Sequence, residues 1–324
     1  MTWYKNVVDV CMGVKATDRV LLITDEVLSE EQELLAQAIQ AHGPLALKRW
    51  TLPEDQRPLK VAPDEIIQAI KQSSVGIHFL GQTTHAEQPY RISVLQAVEK
   101  SRIRLAAGIN MDQAMFTNEL TADYVTISAN TYRLLEHLQH RDQVHITSPL
   151  GTDLRMSISG RRIAVDPGIF RSPGYYNLPS GECYVAPIED SAEGTLVIDK
   201  SFPGILIEEP ISLIFKKGRI VEISGGTEAA QLRQVIETSE TQPNGEGTRN
   251  IAELGIGTNP QARITGNSMT DEKVMGTIHI AIGHNANAPY NGKNVAPIHL
   301  DGVMGEPTLR IDEDVLIKDG EYLL

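Results

Sequence analysis

The first 150 residues alternate between apolar segments typical of strands and amphipathic segments typical of helices, and this alternation most constrains the fold. Residues 19–24 read RVLLIT, a compact apolar run, and a helical pattern over residues 28–42 follows it directly. The same alternation continues with strand patterns at 45–50, 74–80 and 103–107 and helical patterns at 63–70, 90–101 and 130–138. Strands that alternate with helices favour a mostly parallel sheet flanked by helices. We therefore predict an α/β domain over residues 1–150.

Beyond residue 150, short strand patterns, glycines and prolines replace most of the helices. Residues 211–215 and 219–223 alternate in polarity and are joined at Lys217-Gly218, as in a β-hairpin. Residues 227–237 give the clearest helical pattern of this part. We predict a sheet-rich α+β domain over residues 151–324, so that the fold class is α/β followed by an α+β metal-binding domain.

Charge and composition exclude several classes of function. The 324 residues include 29 basic and 42 acidic side chains, which gives a net charge of −13 and disfavours nucleic acid and anionic membranes as partners. The chain contains no apolar run of the roughly 18 residues that a membrane span needs, and its N-terminal residues do not resemble a secretory signal. The two cysteines, Cys11 and Cys183, lie far apart, which is typical of a reducing compartment. We expect a cytoplasmic protein.

Residues 253–301 carry side chains that bind divalent metals, each beside a short apolar run. In the strand pattern IHLD, a period of two places His299 and Asp301 on the same face. His279 lies within the apolar run TIHIAI, and Glu253 begins the block ELGIGTNP. A buried polar pair is costly unless it is hydrogen-bonded, paired with a charge or bound to a metal. These residues therefore indicate a metal site.

Glu182 extends this set, because it follows the turn Pro179-Ser180-Gly181 at the start of an apolar strand. Three carboxylates and two imidazoles suit two divalent ions roughly 3.5–4 Å apart with a shared water between them. Mixed ligands of this kind accept Zn, Co, Mn or Fe, so the metal stays open. The five candidate ligands are Glu182, Glu253, His279, His299 and Asp301.

Other polar residues receive weaker assignments. His78 and His85 flank the loop after the third predicted strand, where α/β sheets present ligands, so they could reach a substrate. Glu272, in the sequence TDEK, is interpreted as a solvated turn residue, although its closeness to the GTIHIA block leaves a role in the site open.

Five blocks of the chain resemble, in order and spacing, the leucyl aminopeptidase family of aminopeptidase T and its relatives. They are GTDL, NLPSGECYVAP, ELGIGTNP, GTIHIAIG and IHLD, and the stretch from the first block to the last spans about half the chain. The resemblance implies a two-metal exopeptidase, often a homodimer, in which the same five residues hold the ions. It also implies a tyrosine after the GTIHIA block that stabilises the tetrahedral intermediate. Tyr290 is the tyrosine available there, and His284 is the alternative.

The 2,5-dihydroxypyridine dioxygenases resemble the chain as a second branch of the same superfamily. That resemblance implies a single ferrous ion held by two histidines and one aspartate. In this branch a histidine stands at the position of Glu253, so Glu253 favours the hydrolase branch. A site of two histidines and one carboxylate can still be built from His279, His299 and Asp301, which keeps the dioxygenase hypothesis open.

The sequence therefore leads us to expect a metal-dependent hydrolase of peptide or small amide bonds, most similar to an aminopeptidase. We expect two divalent ions per chain, Glu253 as the general base, and a homodimer as the assembly. The second hypothesis is an Fe(II)-dependent ring-cleaving dioxygenase. The third is a non-catalytic protein that retains the fold and binds a metal or a small molecule.

Overall fold

The structure is a computed structural model that describes residues 1–286 and 289–324, apart from the side chain of His85. The chain divides into two compact units. Unit 1 comprises Met1–Ser128 and Pro167–Ser180, and unit 2 comprises Ala129–Asp166 and Gly181–Leu324. The predicted fold class is confirmed, because unit 1 is built on a parallel sheet with helices and unit 2 consists mainly of antiparallel sheets.

The helices are concentrated in unit 1. The α-helices are α1 (Trp3–Lys5), α2 (Ser29–Ala41), α3 (Asp64–Gln72), α4 (Gln88–Glu99), α5 (Gln113–Thr117), α6 (Tyr124–Leu138), α7 (Thr227–Glu240) and α8 (Ser268–Asp271). A π-helical segment, Asn6–Cys11, continues α1. Within residues 1–286 and 289–324, no helix combines the length and the apolar character that crossing a bilayer requires.

The strands form three sheets. They are β1 (Arg19–Asp25), β2 (Ala46–Leu52), β3 (Val75–Leu80), β4 (Arg104–Ile109), β5 (Gln143–Thr147), β6 (Asp153–Ser157), β7 (Ala164–Asp166), β8 (Gly174–Asn177), β9 (Glu182–Val185), β10 (Glu193–Ile198), β11 (Ser201–Phe202), β12 (Ile205–Leu206), β13 (Ile211–Lys216), β14 (Arg219–Ser224), β15 (Ile251–Gly257), β16 (Ile278–Gly283), β17 (His299–Met304), β18 (Thr308–Ile311), β19 (Asp314–Lys318) and β20 (Glu321–Tyr322).

Unit 1 contains a five-stranded sheet in the order β2-β1-β3-β4-β8, and every neighbouring pair is parallel. Every residue of β3 is buried, as is typical of a parallel strand that helices cover on both faces. One hydrophobic cluster includes Leu21 of β1, Ile66 and Ile70 of α3, and Val94 and Val98 of α4. The apolar positions of the helices thus form a core with the sheet.

The unit boundaries differ from the predicted division at residue 150. β5 pairs antiparallel with β6, from Gln143 opposite Ser157 to Thr147 opposite Asp153, so that β5 belongs to unit 2. Conversely, β8 pairs parallel with β4, which places residues 167–180 in unit 1. The change in local sequence pattern near residue 150 shows where short strands become frequent along the chain. It does not show which distant strand each short strand pairs with.

Unit 2 contains two antiparallel sheets that contribute to one hydrophobic cluster. The eight-stranded sheet has the order β14-β13-β10-β6-β5-β18-β19-β20. The seven-stranded sheet, called the site sheet below, has the order β12-β11-β17-β16-β15-β9-β7. Leu154 and Leu196 of the first sheet and Leu254 and Ile280 of the site sheet belong to the same buried cluster. One face of the site sheet is therefore fixed by core packing.

Arg57 forms a buried cluster of ion pairs at the carboxyl end of β1. Its Nη1 donates to Asp25 Oδ2 at 2.9 Å, and its Nε and Nη2 donate to the two carboxylate oxygens of Glu87 at 2.8 and 2.7 Å. Asp25 also accepts the backbone N–H groups of Gly81 and Gln82, just after β3. The cluster connects the ends of β1 and β3 to the segment that precedes α4.

Arg57→Met should destabilise unit 1 by about 3–5 kcal/mol, because two buried carboxylates lose the charge that compensates them. Both tryptophans, Trp3 and Trp50, lie in unit 1, so urea unfolding followed by tryptophan fluorescence reports on this unit. Arg49→Met is the control, since its pair with Glu33 is largely exposed and should contribute about 1 kcal/mol or less. Equal losses in both variants would contradict the assignment.

Candidate metal centre

Four neighbouring strands of the site sheet direct alternate residues to one face. Across β15, β16 and β17, Ala281 stands opposite both Glu253 and Asp301, and Gly255 stands opposite His279. The residues between them are apolar and join the core cluster, among them Leu254, Ile280 and Ile282. The period of two therefore separates a core face from a polar face. The polar face carries Glu182 and Tyr184 of β9, Glu253 and Gly255 of β15, His279 and Ala281 of β16, and His299 and Asp301 of β17.

All five predicted ligands come together on this face. His299 Nε2 lies 3.0 Å from Glu253 Oε2 and 3.4 Å from Asp301 Oδ1. His279 Nε2 lies 3.5 Å from Glu253 Oε1 and 3.6 Å from Glu182 Oε2. Donor atoms of Glu253, His279 and Asp301 all lie within 4.8 Å of one another, the spacing of a group able to hold one ion.

The hydrogen bonding of His299 prepares its ring for a cation. Nδ1 lies 2.7 Å from the backbone carbonyl oxygen of His284, and because a carbonyl can only accept, Nδ1 carries the proton. Metal-binding histidines commonly make this kind of contact through the nitrogen that does not bind the ion. In the neutral ring, Nε2 then presents a lone pair to the carboxylates of Glu253 and Asp301. Either a proton or a metal ion is needed between them.

Two buried carboxylate oxygens support the same conclusion. Among the described residues, Glu182 Oε2 and Asp301 Oδ1 have no hydrogen-bond partner although both are shielded from solvent. A buried carboxylate oxygen without a partner is costly, and coordination of an ion removes that cost. The donor set of carboxylates and imidazoles is also one that Zn, Mn and Fe accept. The residues therefore fit a divalent metal ion.

Gly255 makes room for the His279 ring. A side-chain carbon at position 255 would overlap the imidazole, because the ring lies directly over the neighbouring strand. Glycine is thus required at this position of β15 for His279 to reach Glu253. The sequence already shows this glycine two residues after Glu253, in the block ELG.

Tyr290 and His284 both take part in the centre, in different ways. The Tyr290 hydroxyl lies 3.3 Å from His299 Nε2, and its ring stacks on the His299 imidazole with centroids 4.9 Å apart. His284 supplies the carbonyl that orients His299, while its Nδ1 accepts the backbone N–H of Ala296 at 3.3 Å. The catalytic role predicted for either residue stays a prediction. Of these two residues, Tyr290 places its hydroxyl group next to the candidate ligand His299.

Lys273 is the residue that sequence reasoning missed. Its side chain is 0% exposed, and Nζ lies 2.6 Å from Glu182 Oε1 and 2.9 Å from Glu272 Oε2. The interpretation of Glu272 as a solvated turn residue is therefore wrong, since its carboxylate contacts Lys273 at the edge of the centre. Nothing in the sequence TDEK distinguishes a buried lysine from a surface one.

The charged groups shift one another's pKa. Burial alone would raise the pKa of Glu253, but hydrogen bonds from His279 and His299 hold it well below its usual range. Burial lowers the pKa of His279, yet its interaction with Glu253 outweighs this and raises that pKa to about 9. Burial also lowers the pKa of His299, but the charges and hydrogen bonds of Asp301 and Glu253 together outweigh it, and the net shift of the pKa is well upward. Without a metal, the imidazoles of His279 and His299 are therefore protonated on both ring nitrogens, and so positively charged, at neutral pH.

His78 does not join the centre. It lies in β3 of unit 1, where it is 1% exposed and its Nε2 is 3.1 Å from the Tyr90 hydroxyl. Burial lowers its pKa to about 3, so the ring is neutral and part of the core of that unit. The side chain of His85 lies outside the described part of the chain.

Gly255→Ala should weaken metal binding by at least about tenfold, because the new methyl group displaces the His279 ring from Glu253. Titration calorimetry with Mn²⁺ would measure the affinity. Gly160→Ala is the control for loss of a glycine elsewhere: its φ of +68° strains an alanine, but the new carbon meets no atom within 4 Å and position 160 is outside the centre, so the affinity should be unchanged. Unchanged affinity in Gly255→Ala would show that His279 is not a ligand.

Metal affinity should fall as the pH drops below about 9, because the ion must displace the proton that His279 holds up to that pH. Each competing proton should lower the logarithm of the affinity by about one per pH unit. Calorimetry at about pH 6 and about pH 8, in buffers of different ionisation enthalpy, would give the affinity and the protons released. Equal affinities without proton release would contradict the predicted competition.

Comparison with known proteins shows which family the chain is similar to. The sequence model of the family described as 2,5-dihydroxypyridine 5,6-dioxygenase (NicX) matches residues 14–323. The chain is 28% identical over 202 residues to the 2,5-dihydroxypyridine 5,6-dioxygenase of Pseudomonas putida KT2440, an alignment that covers 57% of this chain and 55% of the relative. It is 27% identical over 124 residues to aminopeptidase AmpS of Bacillus subtilis 168, with 36% and 30% covered. The chain thus aligns with about half of the first curated relative and less of the second.

Two solved structures share the fold. The 2,5-dihydroxypyridine dioxygenase of Pseudomonas putida KT2440 superposes with a TM-score of 0.78 at 20% identity, covering 99% of this chain and 96% of that one. AmpT of Thermus thermophilus superposes with a TM-score of 0.75 at 15% identity, covering 99% and 98%. The predicted resemblance to a superfamily that contains both kinds of enzyme is confirmed.

The main functional expectation from the sequence, an aminopeptidase-like hydrolase, is wrong by these comparisons. The family match and the longer curated alignment both carry the dioxygenase description, and the aminopeptidase alignment covers a smaller share of the chain. The expectation gave most weight to one residue, Glu253, whereas the family match reflects nearly the whole chain. Because that match spans residues 14–323, the protein belongs to the 2,5-dihydroxypyridine 5,6-dioxygenase (NicX) family.

Proposed function

We propose that the protein is an Fe(II)-dependent dioxygenase that opens the ring of a dihydroxylated pyridine or a closely related aromatic compound. The observation that carries the proposal is the family match over residues 14–323. The curated relative from Pseudomonas putida is named for 2,5-dihydroxypyridine, and this compound is the first substrate to test.

The donor set of the centre is compatible with this chemistry. His279, His299 and Asp301 supply two imidazoles and one carboxylate, the set that holds ferrous iron in many non-haem oxygenases and leaves positions open for other ligands. A ferrous ion bound there would supply the electron-transfer chemistry that lets O₂ react with an electron-rich ring. The three residues would hold that ion, and they lie on a sheet face whose opposite side packs in the core.

Glu253 has a separate task in this proposal. In the dioxygenase branch a histidine stands at the position of Glu253. Here the Glu253 carboxylate lies 3.0 Å from His299 Nε2 and 3.5 Å from His279 Nε2, and the positive charge of an ion bound by these imidazoles would keep it ionised. An ionised carboxylate beside the ligands is placed to accept the proton of a ring hydroxyl group as the substrate binds. General bases of this kind contribute roughly 10²–10⁴-fold to a rate.

Aromatic side chains next to the ligands suit a flat substrate. The Tyr290 ring stacks on His299 with an interplanar angle of 27°, and the Tyr184 ring meets Tyr290 edge-on at 5.6 Å between centroids. Planar apolar surfaces favour an aromatic ring over a flexible peptide. The Tyr290 hydroxyl adds one hydrogen-bonding group at the same place.

The protein loaded anaerobically with Fe(II) should consume 2,5-dihydroxypyridine and O₂ in equal amounts once air is admitted. Loss of ring absorbance, an oxygen electrode and mass spectrometry with ¹⁸O₂ would measure this, with both labelled atoms expected in the ring-opened product. His299→Ala and Asp301→Ala should lose iron and activity together, since each removes a ligand. His137→Ala, on α6 and outside the centre, should keep both.

Two results would overturn the proposal. One is ring consumption that continues under strict anaerobiosis, because a dioxygenase cannot proceed without O₂. The other is an iron-loaded, folded protein that leaves 2,5-dihydroxypyridine and its hydroxylated analogues unchanged in air. In that case the family membership would stand, and the reaction would have to be sought elsewhere.

A further inference from the structure

The carboxylates and imidazoles on the site sheet form two groups that share one residue. Glu253, His279 and Asp301 make up the first group, together with the adjoining His299. Glu182, Glu272 and His279 make up the second group, whose donor atoms also lie within 4.8 Å of one another. Judged by side-chain type and spacing alone, each group could hold a divalent ion. This arrangement would match the two ions expected from the sequence.

The second group already contains a cation. Lys273 Nζ lies 2.6 Å from Glu182 Oε1 and 2.9 Å from Glu272 Oε2, so it contacts both carboxylates of that group. The lysine side chain is 0% exposed, which means that it is not a surface group that swings in from solvent. Charge-assisted contacts of this length are among the strongest hydrogen bonds in proteins.

The backbone fixes the position of this ammonium group. The N–H of Lys273 donates to the carbonyl of Thr270 at 3.0 Å, and its carbonyl accepts from the N–H of Asn259 at 2.8 Å. The segment lies against β15 at Gly257, where an added side-chain carbon would overlap the backbone of residues 273 and 274. The lysine is therefore held by its main chain as well as by its charge.

Charge balance separates the two groups. Buried carboxylates need compensation, and an ammonium at hydrogen-bond distance supplies it without a metal. In the first group, the cations facing the carboxylates are imidazoles, which can give up their protons to a metal ion. The ammonium of Lys273 cannot act as a ligand while it is protonated, and it fills the space between Glu182 and Glu272.

We propose that Lys273 takes the place of a second metal ion and so limits the centre to one divalent ion, held by His279, His299 and Asp301 with Glu253 beside them. Glu182 is then a partner of Lys273 through Oε1 and does not contribute to a second ion. Lys273 is a residue that determines metal stoichiometry, and it acts through the carboxylates that it occupies. The inference concerns the metal centre and depends on the proposed metal site, but not on ring cleavage.

The test is the number of ions bound per folded chain. Wild-type protein, stripped with chelator and titrated with Mn²⁺, should bind one ion. Lys273→Ala removes both the charge and the volume of the side chain, so it should bind two. Two neighbouring Mn²⁺ ions interact magnetically, so the electron paramagnetic resonance signal of doubly loaded Lys273→Ala should be weaker and broader per ion than that of wild type.

Four further variants make the result specific. Lys273→Arg keeps a buried cation and should still bind one ion. Lys200→Ala removes a lysine from a partly exposed pair with Asp199 and should also leave the count at one. In otherwise wild-type protein, Glu182→Gln should keep the single ion, whereas Asp301→Asn should lose it or bind it at least tenfold more weakly.

Thermal unfolding covers the case in which Lys273→Ala folds poorly. Its apo form should melt well below wild type because Glu182 and Glu272 lose their compensation, and Mn²⁺ should raise its melting temperature more than that of wild type. Two ions in wild type, or one ion in folded Lys273→Ala, would overturn the inference. One ion in wild type and two in Lys273→Ala would sustain it even if no ring-opening activity were found.

Discussion

Repulsion among buried carboxylates is the constraint on which the centre depends. Glu182, Glu253, Glu272 and Asp301 converge at one side of a sheet whose other side is apolar core. Carboxylates placed this close together require cations between them. The site sheet is therefore stable only as part of a charge-balanced cluster. Its positive members are Lys273 and either the protonated imidazoles or, in the functional state that we propose, a metal ion.

The rigidity of the sheet decides how well these charges are placed. Six strand-to-strand pairings run along β16 and β17, from Ile278 opposite Met304 to Gly283 opposite His299. Because Ile278, Ile280 and Ile282 are locked into the core on the other face, the alternating His279 cannot shift without moving them. The positions of the ligands are thus set by the packing of the core on the other face of the sheet. Residues outside the strands contribute mainly Lys273, Glu272 and Tyr290.

Much of the fold and most of the centre were predictable from local patterns. Period-two alternation placed His299 and Asp301 on one face, and the apolar run around His279 predicted its strand. The positions that failed depend on distant contacts. Lys273 pairs with Glu182 across 91 residues, and no local pattern shows that a lysine in a polar turn is buried. The compact units differ from the predicted division at residue 150 for the same reason, since β8 joins β4 from a segment assigned to the second domain.

The function was harder to predict than the fold because the two kinds of superfamily member differ in few residues. Glu253 pointed towards hydrolysis, while the match over residues 14–323 points to the dioxygenase family. A carboxylate beside two imidazoles does not specify a reaction unless the cation that it faces is also known. What fills the space between the carboxylates is therefore more informative than the list of carboxylates.

The path of the chain between the two units has a consequence for biosynthesis. The chain leaves unit 1 after Ser128, returns for Pro167–Ser180 and then leaves again, and β8 in that returning segment is an edge strand of the parallel sheet. Four strands of that sheet are complete by residue 109, but the fifth emerges from the ribosome only after β5, β6 and β7 of unit 2. The nascent chain must therefore carry an unpaired edge of β4 through the synthesis of more than sixty intervening residues, from Ile109 to Gly174. An unpaired edge of this kind is open to the wrong partner strand until β8 has been synthesised.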